Sequence, residues 1–105
     1  MKTTKELLAG VAACFDVTPE QLTGPGRTKE LSRARHAAML VLRRVRTDLS
    51  LQSIAACLGR EDHTTVIYGL ARAEQLLRTD PEFRATMVTL IVTLDPGEYC
   101  YAVSA

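Results

Sequence analysis

Apolar residues recur at three- and four-residue steps along nearly the whole chain, the period of amphipathic helices. Leu7, Leu8, Val11, Ala12 and Phe15 mark a first helix. Thr18-Pro19-Glu20-Gln21 reads as the start of a second, with Thr as N-cap, Pro at the first helical position and Gln at the third. Gly24-Pro25-Gly26 keeps that helix short. A long helix is predicted over about 29–46, with Leu31, Ala34, Ala38, Met39, Leu42 and Val45 on its apolar stripe. Arg35, Arg43, Arg44 and Arg46 fall largely off that stripe. After a break at Thr47-Asp48-Leu49, Ser50 caps a short helix over 51–58 that turns Leu51, Ile54, Ala55 and Leu58 inward. Gly59 can take the left-handed conformation that ends it. Asp62 caps the next helix, whose apolar face is Val66, Gly69, Leu70, Ala73 and Leu77. A last helix over 81–94 turns Phe83, Met87, Leu90, Ile91 and Leu94 inward, and Pro96-Gly97 ends it. The expectation is an all-α domain of five to six helices over 1–96, followed by a frayed or loosely packed tail over 97–105.

A chain of 105 residues makes one domain with a modest core. No apolar run approaches the ~20 residues of a membrane span. Met1 to Glu6 lead into an amphipathic stretch, not a signal-peptide core. A cytoplasmic protein is therefore expected. Cys14, Cys57 and Cys100 are odd in number, far apart and outside any C-x-x-C pair, so they read as reduced, structural thiols. The net charge of +1 says little, but its distribution says more. Arg27, Lys29, Arg33, Arg35, Arg43, Arg44 and Arg46 stand against Glu30 alone, while Asp80, Glu82, Asp95 and Glu98 face only Arg84. A basic middle and an acidic end fit a face turned toward a polyanion, or simply a solvated helix face.

A short helix, a glycine-containing turn and a longer helix make the helix-turn-helix arrangement, placed here over 50–77. Any helical bundle has tight turns, so the weight falls on the first turn of the second helix, Asp62-His63-Thr64-Thr65. A helix entering the major groove presents such residues to base edges. Thr offers a hydroxyl and a methyl, Asp can accept from cytosine, and His can donate to purine acceptors. The other reading is plain capping, with Asp62 holding the helix end and its neighbours solvated. No Cys, Asp or Glu pairs with His63 at metal-ligand spacing, and no nucleophile context surrounds it. Neither a metal site nor an enzyme is expected.

Three stretches together carry a resemblance: Ser32-Arg33-Ala34-Arg35-His36-Ala37-Ala38-Met39, then Leu49-Ser50-Leu51-Gln52-Ser53-Ile54-Ala55-Ala56-Cys57-Leu58-Gly59, then Asp62-His63-Thr64-Thr65-Val66. They resemble the C-terminal DNA-binding domain of DnaA, the bacterial chromosomal replication initiator. The likeness extends to the opening helix and Thr18-Pro19-Glu20-Gln21-Leu22, and covers roughly residues 3 to 94. It implies a DnaA C-terminal, Trp-repressor-like fold. It also implies that Asp62, His63, Thr64 and Thr65 read bases in the major groove while Arg27 enters the adjacent minor groove. Implied contacts to the DNA backbone are Arg35, His36, Arg43, Thr47, Ser50, Leu51, Arg60 and Arg72.

This chain departs from that pattern in places. The family's usual Arg two residues before the His is Glu61 here, with Arg60 one step earlier. His36 stands where Gln is usual, and one extra residue falls around Arg46-Thr47. The family's ATPase module has no counterpart: no G-x-x-x-x-G-K-[ST] segment occurs, and Gly24-Pro25-Gly26 is too short to cradle phosphates. The resemblance thus implies a sequence-specific binder of double-stranded DNA at DnaA-box-like sites. It would modulate replication initiation or transcription and act as a monomer without nucleotide, metal, other cofactor or membrane. The expected location is the cytoplasm, with the nucleoid. Met1 and the extra tail favour a free-standing protein. The alternative is a degenerate DnaA-like domain that binds a protein partner through its last helix.

Overall fold

Each predicted helix forms, and each is started by a short polar side chain. The computed structural model describes residues 3–94. In order the elements are α1 (Thr4–Cys14), α2 (Pro19–Thr23), α3 (Lys29–Val45), α4 (Leu51–Cys57), α5 (His63–Thr79) and α6 (Pro81–Leu94). Thr3, Thr18, Thr28, Ser50 and Asp62 are the N-caps of α1 to α5, each side-chain oxygen accepting a backbone N–H of the first turn. Thr18 and Gln21 close the expected capping box. For α6 the carboxylate of Asp80 takes the same part, accepting from the N–H groups of Glu82 and Phe83 at 3.1 Å. The caps at Thr3, Thr28 and Asp80 were not among the expected ones.

Helix α3 is the axis of the fold, and α1, α2, α4 and α5 all pack against it. Its buried face is wider than a single stripe: Ala37, Leu40 and Val41 are as enclosed as Ala34, Ala38 and Leu42. Small side chains on this helix let its neighbours approach closely. At the α3–α5 crossing, Gly69 meets Met39 so tightly that a Cβ on Gly69 would lie 2.0 Å from the Met39 sulfur. Helix α6 then closes the bundle against α1 and α5 with Phe83, Met87, Leu90 and Ile91. Burying each such side chain is worth about 1.5–3 kcal/mol. Phe15 meets Phe83 with ring centroids 5.9 Å apart. Arg33 lies over the outer face of Phe83 and pairs with Asp80 at 2.8 Å.

On α5, Leu76 is the buried residue of the last turns, while Leu70 and Leu77 pack from the edge. The α5 stripe is thus rotated slightly from the expected one, because α5 meets α3 on one side and α6 on the other. The side chain of Leu94 and the segment 95–105, with Cys100, Pro96-Gly97 and the expected tail, lie outside the described residues. Among the described residues no helix is long and apolar enough to cross a membrane.

Gly59, between α4 and α5, has φ +69°, and a Cβ there would stand 2.5 Å from the carbonyl oxygen of Thr23. An L-residue would meet both the left-handed penalty and a backbone clash. Gly59→Ala is therefore expected to cost on the order of 2 kcal/mol or more. For a domain of this size that lowers Tm by roughly 10 °C, measurable by thermal unfolding.

Candidate nucleic-acid interface

The turn between α4 and α5 is held from several sides. Gly59 reverses the chain, and the N–H of Arg60 returns to the carbonyl of Ala55 at 2.8 Å. The side-chain amide of Gln52 donates to the carbonyl of Glu61 at 2.8 Å. Val66, fully buried, anchors the first turn of α5 to the core. Asp62, His63, Thr64 and Thr65 consequently all stand exposed at the head of α5. The Asp62 carboxylate accepts from the N–H of Thr64 at 2.9 Å and from its hydroxyl at 2.6 Å. Those two bonds, the hydroxyl first, and nearby His63 hold its pKa below the usual carboxylate range. Asp62 is thus a cap and an ionised surface carboxylate at once, whereas His63 and Thr65 take no part in capping through their side chains.

A second element lies beside this turn: the loop between α2 and α3, which carries the exposed Arg27. Here the structure gives one expected contact residue an interior setting. Arg35, expected to reach a DNA phosphate, is turned inward and is only 7% exposed. Its Nε donates to the carbonyl of Leu22 at 3.0 Å, and Nη2 to those of Gln21 at 2.8 Å and Gly24 at 2.9 Å. Nη1 donates to the carbonyl of Gly26. Four of the five guanidinium N–H groups are thereby used inside the protein. The physical reason is the loop itself. Five residues of α2 followed by Gly24-Pro25-Gly26 leave several carbonyls without helical partners, and a forked donor satisfies them together. Burial first, and then the charges of Arg60 and Arg27, push the Arg35 pKa down from its ordinary value.

Arg60 departs in a related way. Expected at the DNA backbone, it is half-buried and donates through Nη2 to the carbonyl of Gly24 at 3.1 Å. His36 is half-buried under the α3–α5 crossing, its Cδ2 in reach of Gly69. Burial, then Arg72 and Arg35, lower its pKa. Ser50 is the cap of α4, accepting from the N–H of Ser53 at 3.0 Å, and Leu51 is half-buried against the core. Thr47 is exposed in the turn before α4. Arg43 and Arg72 are exposed, Arg72 donating to Gln75 at 2.7 Å.

The basic excess of the middle segment is thus divided. Arg33 pairs with Asp80, and Arg46 pairs with Asp48 at 2.8 Å. Arg35 is interior. Arg27, Lys29, Arg43 and Arg44 remain exposed and make no ion pair among the described residues. Arg44 belongs with this set although it was not among the expected site residues; its position off the apolar stripe next to Arg43 was the available signal. Among the described residues no group of His, Cys, Asp and Glu could hold a metal ion.

An exposed polar helix head set on a glycine turn after a short helix defines a helix-turn-helix domain. The sequence matches the family model described as the bacterial dnaA protein helix-turn-helix over residues 4–72, and the chain belongs to that family. It is 39% identical over 85 residues to the chromosomal replication initiator protein DnaA of Thermus thermophilus, covering 81% of this chain and 19% of that protein. The DnaA of Thermomicrobium roseum is 39% identical over 88 residues, covering 84% of this chain and 19% of the relative. The DnaA of Mycobacteroides abscessus is 50% identical over 62 residues, covering 59% and 12%. The chain spans about a fifth or less of the length of these relatives.

The depressed pKa of His36 has a consequence for stability. An unfolded chain takes up this proton near the ordinary value of 6.5, and the folded domain only at lower pH. Between the two, the unfolded state binds more protons, so stability falls as pH drops through that window. Denaturant titrations across it should show this fall. His36→Gln should flatten it, leaving the carboxylate-driven loss that begins nearer pH ~4.

Proposed function

We propose that this domain binds double-stranded DNA sequence-specifically at DnaA-box-like sites, with the head of α5 in the major groove and Arg27 in the adjacent minor groove. The observation that carries this reading is the exposed first turn of α5. His63 and Thr65 project from a helix end fixed behind by buried Val66, leaving donors, acceptors and a methyl free for base edges. Asp62 and Thr64 share a hydrogen bond that sets the carboxylate oxygens in place for a base contact. Arg43, Arg72, Thr47, Ser50 and the N-terminus of α4 at Leu51 supply phosphate contacts, with His36 beside them and Arg44 added. The relatives are named chromosomal replication initiators. By that likeness the proposed role is to modulate replication initiation or transcription at such sites, on the nucleoid in the cytoplasm. No nucleotide-binding motif occurs in these 105 residues, so box reading is assigned without an ATPase step within them. A box of this kind is not palindromic, which favours a monomer on DNA.

The protein-partner reading has less to stand on. Helix α6 spends Phe83, Met87, Leu90 and Ile91 on the domain's own core, leaving Val88 as its large exposed apolar side chain among the described residues.

Gel shifts on a DnaA-box duplex and a scrambled duplex, each at two salt concentrations, test the proposal. The box should be preferred, and affinity should fall steeply with salt. Equal binding to both duplexes would remove the sequence-specific reading. One base contact is worth ~1–3 kcal/mol, so His63→Ala should cut the preference about tenfold while leaving scrambled binding nearly unchanged.

Arg43→Ala should act differently. It should weaken both duplexes alike and reduce the slope of log affinity against log salt by about 1. A change confined to the box would place Arg43 at a base and not at a phosphate.

A further inference from the structure

We infer that Arg60 is a positioning residue that locks the Arg27 loop to the helix-turn-helix turn, so that the two groove-reading elements move as one body. This rests on the DNA-binding reading above. The turn and the loop already touch through backbone: Gly59 has no room for a Cβ because the Thr23 carbonyl oxygen would lie 2.5 Å from it. Next to that contact, Arg60 reaches across from the turn and donates to the Gly24 carbonyl at 3.1 Å. The same carbonyl accepts from Arg35 at 2.9 Å. Gly24 therefore sits between a donor from α3 and a donor from the turn, and Arg27 follows it by three residues. Arg35 alone ties the loop to α3; Arg60 is the side chain that ties it to the element carrying His63 and Thr65.

The geometry matters because base reading in two grooves needs both probes at a fixed separation. A minor-groove arginine on a loose loop must be ordered on binding, which costs the conformational freedom of the side chain and of the loop. Holding the loop beforehand removes part of that cost. The loop is also where like charges gather: Arg35 and Arg60 share the Gly24 carbonyl, and the charges of Arg60 and Arg27 add to burial in lowering the Arg35 pKa. Carbonyl acceptors at Gly24 and Gly26 are what make that crowding tolerable, and the resulting positive field suits a groove lined by phosphates.

The test is a double-mutant cycle between Arg60→Gln and Arg27→Ala, read on the box and scrambled duplexes. Arg60→Gln should lose about fivefold in box binding and less than twofold on the scrambled duplex. In the Arg27→Ala background the same substitution should lose almost nothing more, because its effect passes through Arg27. Independent, multiplying losses, or equal weakening of both duplexes, would make Arg60 a DNA contact in its own right and overturn the inference. A second readout needs no DNA. Trypsin should cut after Arg27 several-fold faster in Arg60→Gln than in the parent, with Tm nearly unchanged; equal cutting rates would also overturn it. If the parent shows no box preference, the DNA reading fails and this inference with it. If the parent prefers the box and Arg60→Gln prefers it to the same degree, only this inference fails.

Discussion

One guanidinium holds together the face proposed to read DNA. Arg35 enters the space under the α2–α3 loop and gathers the carbonyls of Gln21, Leu22, Gly24 and Gly26. A charge so enclosed is costly unless its donors are met. Here they are met by groups that themselves need donors, because a five-residue helix followed by Gly-Pro-Gly cannot satisfy its own carbonyls. Remove the guanidinium and the carbonyls of Gln21, Leu22 and Gly26 lose this donor at once, leaving Arg60 at Gly24. The loop's shape and the place of Arg27 therefore depend first on this one side chain on α3.

That dependence is possible because α3 is fixed so firmly. Its buried alanines let α1, α4 and α5 close around it, and Gly69 of α5 sits directly on the Met39 side chain of α3. Arg33 and Arg35 sit two residues apart on this helix and reach different elements. Arg33 ties the start of α6 through Asp80, and Arg35 ties the end of α2. The helix thus transmits a rigid frame to two elements that are otherwise short or late in the chain. A rigid frame is what a base-reading surface requires, since side chains must be held to a fraction of an ångström for directed hydrogen bonds.

Much of this was legible in the residues. Helix periodicity, the Thr18 capping box, the Ser50 and Asp62 caps and the left-handed Gly59 follow from local chemistry, which acts within a few residues. The exposed head at Asp62 to Thr65 was legible for the same reason. What could not be read was the destination of long, flexible cations. Arg33, Arg35, Arg43 and Arg60 look alike as letters, yet one meets a carboxylate, two meet carbonyls far along the chain, and one is left exposed. Their partners lie 9 to 47 positions away, a separation that no periodicity encodes. The buried Leu76 in place of Leu77 has the same origin, since the angle at which α5 meets α6 is a tertiary fact.

The charge pattern therefore needs a finer statement than a basic middle and an acidic end. Interior and paired cations contribute to the field with donors already committed inside the protein, so the set of uncommitted cations is smaller than the sequence excess suggests. Glu61 adds to this restriction. Its carboxylate is exposed beside the head of α5, where a negative charge opposes a nearby phosphate and adds to that of ionised Asp62. Arg60 keeps its positive charge nearby, but its guanidinium is turned to the Gly24 carbonyl. In the proposed docking mode, affinity then leans less on the turn itself and more on the flanks, Arg27 on one side and Arg43 and Arg44 on the other. A binder built this way discriminates best when both flanks are engaged together. That condition ties its specificity to the distance between the two grooves as well as to the bases that α5 meets.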